Sequence, residues 1–389
     1  MPKILVGGDV SPGRRMLSYF AGGDAQTLFN DLLADFEAAD FAIVNLECPL
    51  VVEESAIEKT GPVLGAPVSC IQAIKNAHVD AVNLANNHIL DHGAAGLETT
   101  LEACEKAGLG TVGAGENLDA ASRMLVHNVS GTRVGFVAMA EHEFSIAGRN
   151  SWGANPLDLA QFIRTVRRHR GQYDFLVVLL HGGIEHYPYP SPRLMETCRF
   201  MVEEGAKAVI CQHSHCPGCY EEYRGGYIVY GQGNLLFDAY PLRNAAWHEG
   251  ALVSLTLEED GACSMEFVPY VQCDRRVGAR RMDPDQEDSF RRTFQERSEK
   301  IKDPQFVQRQ WEAFCKTREN AYLSMLRGHG RFFKRLNARL GWLRHLYSWE
   351  KRRLLLNVVR CESHREVIET VCRESRNAGS PPTLSDADA

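Results

Sequence analysis

Six short apolar runs, "KILVGG", "FAIVNLE", "AVNLAN", "RVGFVAMA", "FLVVLLHGG" and "AVICQHSH", recur along the first two-thirds of the chain with helical segments between them. They are rich in β-branched residues and of strand length, so they read as strands. In the intervening "GLETTLEACEKAG", Leu97, Leu101 and Cys104 fall on one helical face and Gly108 offers a stop. Such alternation restricts the chain to a largely parallel sheet with covering helices. From Tyr227 the pattern changes. The runs "YIVYGQGNLLF", "GALVSLTLEED" and "CSMEFVPYVQC" follow one another with turn residues and no helix between, which predicts antiparallel strands forming a second sheet packed on the first.

At 389 residues the chain can hold one large core plus an appendage. Beyond about Met282 the strand patterns end, the sequence becomes charged and helical, and it finishes in "NAGSPPTLSDADA". We therefore expect a principal domain over 1–282, a basic helical region over 283–376 and a disordered tail over 377–389. Between Arg327 and Arg360 stand ten Lys or Arg and one Glu, interleaved with Phe332, Phe333, Trp342 and Trp349. One reading of 327–360 is peripheral contact with an anionic membrane surface. The other packs these aromatics on the principal domain or on a partner protein and leaves the arginines solvated. Gly328, Gly330 and Gly341, which break any single long helix, tilt the balance toward packing.

Several classes are set aside by bulk properties. A net charge of -7 gives no global pull toward nucleic acid, and none is expected as a partner. The opening "MPKILVGGDV" lacks the apolar stretch of a signal peptide, and no run approaches the roughly 18 apolar residues of a membrane span. The twelve cysteines are scattered, as reduced thiols would be, so the expected location is cytoplasmic, with peripheral membrane contact as the addition.

Polar residues stand where the apolar runs end. In "LANNHILDHG" (Leu84 to Gly93) two Asn, two His and an Asp follow a strand at once. A turn explains most of them, since Asn and Asp bond their own backbone. Yet Asp9 follows "ILVGG", Glu47 follows "AIVNL", Asn87 and His88 follow "VNLAN", His181 follows "LVVLL", and His213 and His215 follow "AVIC". In a parallel sheet the carboxyl ends share one edge, where these side chains can meet. Carboxylate, amide oxygen and imidazole together suit Zn, Mn or Fe better than Ca. Asp91 has a separate reading, as N-terminal cap of the helix beginning near Gly93.

The blocks "GGDVSPGR", "NLECPL", "LANNHILDHGAAGLETTLEACEKAG" with "TVGAG", "LLHGGIEHYPYPSP" and "HSHCPGCYEEYRGGYIVYGQGNLLFD" resemble, in order and over about Lys3 to Asp238, the CapA-type capsule-synthesis proteins of poly-γ-glutamate systems. That family is similar in fold to the calcineurin-like metallophosphoesterases. The resemblance implies an α/β fold, a four-layer α/β/β/α sandwich, here with a helical carboxyl-terminal appendage. It implies that Asp9 is the first metal-binding carboxylate, Glu47 the metal bridge, Asn87 the amide ligand and His181 a lone histidine ligand. His213 and His215 resemble the closing His-x-His pair, brought to one face by alternation along an extended segment. His88 resembles the histidine that contacts substrate or protonates the leaving group. The chain also departs from the pattern: Ser11 stands where phosphoesterases have a histidine, Glu47 where they have Asp, and Cys211-Gln212 precede the pair. Losing a nitrogen ligand weakens one metal position, so one or two ions are expected, a single-ion mechanism being the more secure.

Two loops add candidates. In "HGGIEH", Glu185 is a base or substrate contact, with His186 beside it as a substrate contact; an exposed loop acid is an equal reading. Lys59 in "EKTGPVLGAP" attracts an anionic substrate or is a solvated surface lysine. The "CPGC" at Cys216 to Cys219 has no second Cys pair at zinc-finger spacing, so buried thiols in a turn outweigh metal or redox chemistry. The function expected is a metal-dependent hydrolase of a phosphoester or related anionic small molecule or polymer, in capsule or exopolymer biosynthesis. The alternative is a non-hydrolytic metal- or polymer-binding component of a capsule-synthesis machinery, because a fold does not fix a function.

Overall fold

Alternate residues of the strand Phe175–His181 part to opposite sides: Phe175, Val177 and Leu179 join one buried cluster, while Leu176, Val178 and Leu180 join another. A strand apolar on both faces must lie in a sheet covered twice. A computed structural model of the chain describes residues 1–59, 61–240, 245–258, 261–326, 331–349, 351–352 and 355. The tail expected over 377–389, and the basic region from 356 onward, lie outside the described residues.

The sheet holding Phe175–His181 has six strands, with Thr132–Ala140, Phe175–His181, Ala208–Gln212 and Gly226–Val229 side by side and parallel. A second, eight-stranded sheet holds Lys3–Ser11, Phe41–Leu46, Ala81–Asn83 and Gly110–Val112 in parallel. The sheets face each other across one core, where Phe41 of one stacks on Phe136 of the other at 5.0 Å. Helices Leu159–Arg168 and Pro192–Glu203 cover the outer side of the six-stranded sheet through Phe162, Leu194, Cys198 and Met201. Ile71–Asn76 and Gly93–Ala107 contribute Ile74, Leu97 and Cys104 on the eight-stranded side. The expected α/β/β/α layering is thus present. Gly108 ends its helix in the left-handed conformation at φ 69°, as the spacing indicated.

Two expectations change. "YIVYGQGNLLF" is not one antiparallel strand: Gly226–Val229 lies in the six-stranded sheet, and Asn234–Phe237 pairs in parallel with Lys3–Ser11 in the other. The chain crosses between sheets at 230–233, where Gly233 has φ 81° and a Cβ on Gly8 would lie 2.1 Å from its carbonyl oxygen. Glu249–Leu257 and Cys263–Gln272 are antiparallel as expected, but they extend the eight-stranded sheet and build no second one.

The other change is the boundary near 283. Helix Pro284–Lys300 opens with a capping box at Asp283 and Gln286, then buries Phe290 and Phe294 in the main core. Phe294 meets Tyr220 of one sheet and Phe267 of the other, so this charged helix spans the edges of both. The first compact unit therefore runs Met1–Trp311 and the second begins at Glu312. Composition changes before packing does.

Taken by itself, the second unit contains helix Arg331–Leu340. Phe332, Leu336 and Leu340 are exposed there, at 74%, 37% and 66%, whereas Asn337 is buried and accepts the Leu343 amide. Among the described residues no helix is long and apolar enough to cross a membrane.

Candidate metal centre

The strand ends that carry polar residues belong to two sheets, and their edges meet. Asp9 lies within Lys3–Ser11, Glu47 directly follows Phe41–Leu46, and Asn87 lies four residues past Ala81–Asn83. From the six-stranded sheet come His181, at the end of its strand, and His213 and His215 just past Ala208–Gln212. One shared edge was expected; the sandwich gathers the groups across its mouth instead. His181 Nε2 lies 3.0 Å from Asn87 Oδ1, 3.1 Å from His213 Nδ1 and 3.6 Å from Glu47 Oε1. His215 Nε2 is 3.9 Å from the same Glu47 oxygen, and its Nδ1 is 3.7 Å from Asp9 Oδ2. All six residues are buried.

His213 and His215 converge for a reason other than strand alternation. The strand stops at Gln212, and the two histidines have φ of 91° and 52°. Such angles are strained for residues with a Cβ and persist only where surroundings enforce them. One enforcing contact is the His213 amide, which donates to Asp9 Oδ2 at 3.1 Å.

A set of buried amides holds the cluster from behind. Asn45 Nδ2 donates to Asp9 Oδ1 at 2.7 Å, and Asn86 bridges to Asn45 and the Leu46 carbonyl while its Oδ1 takes the His88 amide, a turn role. Asn234 Oδ1 lies 2.8 Å from His215 Nδ1, which places the proton there and leaves Nε2 bare toward Glu47. Glu143 accepts from Asn87 Nδ2 at 3.0 Å, so the Asn87 oxygen turns to His181. None of Asn45, Asn234 and Glu143 was anticipated. Asn234 opens "NLLFD" in a motif already conspicuous, while "EHEFS" gave no sign of Glu143.

Burial holds His181 well below the usual histidine range, and His213 is brought to about 3, burial leading and neighbouring histidines adding. Both are neutral, the form that binds metals. Burial raises Asp9 despite His215, Asn45 and the His213 amide, and raises Glu47 further, with Asp9 adding. Neither Glu47 oxygen has a hydrogen-bond partner, although the residue is wholly buried. Bare imidazole nitrogens, an amide oxygen and a buried carboxylate aimed at one another repel unless a proton or a cation lies between them. The donors fit a divalent ion of the zinc, manganese or iron kind. Metal-compatible sets are Glu47–His181–His213, Asp9–Glu47–His215 and Glu185–His213–His215, each with donor atoms within 4.8 Å of one another.

Beside the cluster, His88 Nδ1 lies 2.6 Å from Asp91 Oδ2, and Lys59 Nζ lies 2.5 Å from Asp91 Oδ1. Asp91 is therefore not the helix cap expected; His92 occupies that position without a side-chain cap. Burial would raise Asp91, but hydrogen bonds from His88 and Lys59 outweigh it and keep the carboxyl below its ordinary value. The Lys59 side chain is only 2% exposed, so its charge is matched internally and does not project as a surface lysine would. Glu185 and His186 are exposed, with the His186 ring 5.7 Å from Trp247 and 6.3 Å from His215. Ser11 is buried. Cys216 and Cys219 are buried free thiols, with Cys216 pushed by burial to about 11, and no cysteine enters a metal-compatible set among the described residues.

The family described as "Bacterial capsule synthesis protein PGA_cap" matches residues 3–239. The capsule biosynthesis protein CapA of Bacillus anthracis is 30% identical over 272 residues, 67% of this chain and 65% of that protein. The chain thus spans about two-thirds of that relative's length. The PGA biosynthesis protein CapA of Bacillus subtilis (strain 168) is 28% identical over 267 residues, 67% of this chain and 69% of that one. Among solved structures, a 5'-nucleotidase from Candida albicans SC5314 aligns at TM-score 0.40 and 11% identity, over 68% of this chain and 51% of that one.

Proposed function

Because the chain belongs to the bacterial capsule synthesis protein family, matched over residues 3–239, we propose that it is a metal-dependent hydrolase serving capsule or exopolymer synthesis of the poly-γ-glutamate kind. Its substrate is a phosphoester or related anionic bond. The observation that carries the reading is Glu47, wholly buried with both oxygens unpartnered among Asp9, His181, His213 and His215. Asp9, Glu47, Asn87, His181, His213 and His215 would hold one or two divalent ions. Such an ion supplies Lewis acidity and activates water at neutral pH.

The chain's own groups do the rest. Asp91 holds the His88 proton at Nδ1, so His88 Nε2 is the atom that delivers a proton to a leaving oxygen. Lys59 keeps Asp91 ionised by pairing with its other oxygen. Glu143 and Asn234 orient Asn87 and His215. One observation favours a second reading, in which the site binds a metal or an anionic polymer without hydrolysis: Ser11 stands buried where a nitrogen ligand is expected. For the carboxyl-terminal unit we infer an anionic lipid surface as partner, because Phe332, Leu336 and Leu340 are exposed beside basic residues.

Metal analysis of the full chain after loading with Mn²⁺, Zn²⁺ or Fe²⁺, combined with hydrolysis of phosphomonoesters, phosphodiesters and amides, tests both readings. We expect bound metal that Glu47→Gln and His213→Ala lose. Equal metal in wild type and both variants overturns the metal centre. Full loading without turnover on any substrate selects the non-hydrolytic reading.

A further inference from the structure

We propose that Glu185 is itself a metal ligand, supplying on the His215 side the donor that Ser11 does not, an inference that rests on the metal-centre reading above. The His181 side of the cluster is complete, with Glu47, Asn87, His181 and His213 converging. The His215 side has Asp9, Glu47 and His215, with a serine at position 11. A carboxylate oxygen of Glu185 lies within 4.8 Å of nitrogens on both His213 and His215.

Donors about 2.1 Å from a common ion stand at most about 4.2 Å apart, so closure asks for roughly half an ångström. A glutamate with three side-chain torsions on an exposed loop can move that far. The loop is already registered to the cluster. The His186 amide donates to the Ser214 carbonyl at 2.8 Å, and the Gly182 amide to the Gln212 carbonyl at 3.1 Å. These two bonds bracket Glu185 against the His213–His215 segment.

The set that contains Glu185 is one carboxylate with the imidazoles of His213 and His215. Such a mixed set accepts Mn²⁺, Fe²⁺ or Zn²⁺.

The test is Mn²⁺ binding to the chelator-stripped full chain, read by calorimetry and by the Mn²⁺ paramagnetic resonance spectrum. Glu185→Gln, on an exposed loop, is expected to keep the fold and to weaken the lower-affinity Mn²⁺ site by about tenfold or more, as loss of a carboxylate ligand would. Ser11→His combined with Glu185→Gln is expected to recover a second ion. Wild-type stoichiometry, affinity and spectrum in Glu185→Gln overturn the proposal, and so does a loss of turnover with Mn²⁺ binding intact, which would make Glu185 a base. Wild-type Mn²⁺ binding by Glu47→Gln would instead remove the metal centre on which the inference rests, so the two failures are separable.

Discussion

A carboxylate buried with both oxygens unpartnered, as Glu47 is, is costly to a fold unless it is protonated or meets a cation. Stripped of metal, the chain should therefore melt higher as Glu47→Gln than as wild type, by an amount corresponding to roughly 1–3 kcal/mol. Calorimetry in chelator reads this. Added Mn²⁺ should raise the wild type and leave the variant where it is; a variant that melts lower in chelator would show that the carboxylate is satisfied by the protein alone. His88 is held by Asp91, whose other oxygen pairs with Lys59. His88→Ala should lose about 10²–10⁴ in turnover. Bound metal, measured on the same sample, should stay at the wild-type level. At this scale the residue types that meet at the mouth of the sandwich were legible because Asp, Glu, Asn and His each ended an apolar run. The left-handed backbone of His213 and His215 was not, since nothing in "CQHSHC" distinguishes a turn from a continued strand. Nor was the Lys59–Asp91–His88 chain, whose members are 29 and 32 residues apart along the sequence from Lys59.

Elements bring these residues together only if strand ends are fixed relative to one another. Arg15, just past Lys3–Ser11, does part of this. Its Nε and terminal nitrogen donate to Asp238 at 2.9 and 2.8 Å, its amide donates to the same carboxylate at 3.1 Å, and the guanidinium also reaches the carbonyls of Cys273 and Asp274. The ends of Lys3–Ser11, Asn234–Phe237 and Cys263–Gln272 are thereby tied beside Asp9. Burial would raise the Asp238 pKa, but hydrogen bonds from Arg15 and the Tyr240 amide outweigh it, and the folded value falls below the ordinary 3.8. A depressed carboxyl stabilises the fold above its unfolded pKa and loses that contribution as pH falls through the folded value. Asp238→Asn should thus cost about 1–3 kcal/mol at neutral pH, discounted from a fully buried pair because Arg15 is 30% exposed. In urea unfolding, the gap to wild type should persist down to about pH 4 and narrow below 3.8; a gap that does not change with pH would assign the loss to packing. The sequence showed which segments were strands, since period and composition are local. It could not show that 226–229 and 234–237 join different sheets, because that depends on two glycines and a close approach to Gly8.

At the scale of the whole molecule, composition and packing mark different boundaries, at 283 and after Trp311, because Phe290 and Phe294 are two apolar residues in an otherwise charged helix. The unit beyond poses the opposite case. Phe332, Leu336 and Leu340, four apart, form one stripe along Arg331–Leu340, and a helix of a soluble domain would bury that stripe. Here the stripe is exposed, and so are Lys334, Arg335 and Arg339. An apolar stripe flanked by cations matches the interface of an anionic bilayer, where rings enter the acyl boundary and guanidinium groups meet phosphates. The full chain should therefore sediment with phosphatidylcholine vesicles containing phosphatidylglycerol and not with phosphatidylcholine alone. Raised salt should release it, since screening shortens the reach of surface charge to a few ångströms at molar ionic strength. Arg335→Glu with Arg339→Glu should weaken binding by about tenfold or more, at roughly 1 kcal/mol for each basic group removed. Phe332→Ser with Leu340→Ser should weaken it by lost apolar burial while leaving metal content unchanged. Vesicle binding indifferent to both pairs of substitutions would remove this helix as the contact, and a dimer that dissociates in the serine variant would assign the stripe to a second copy of the chain.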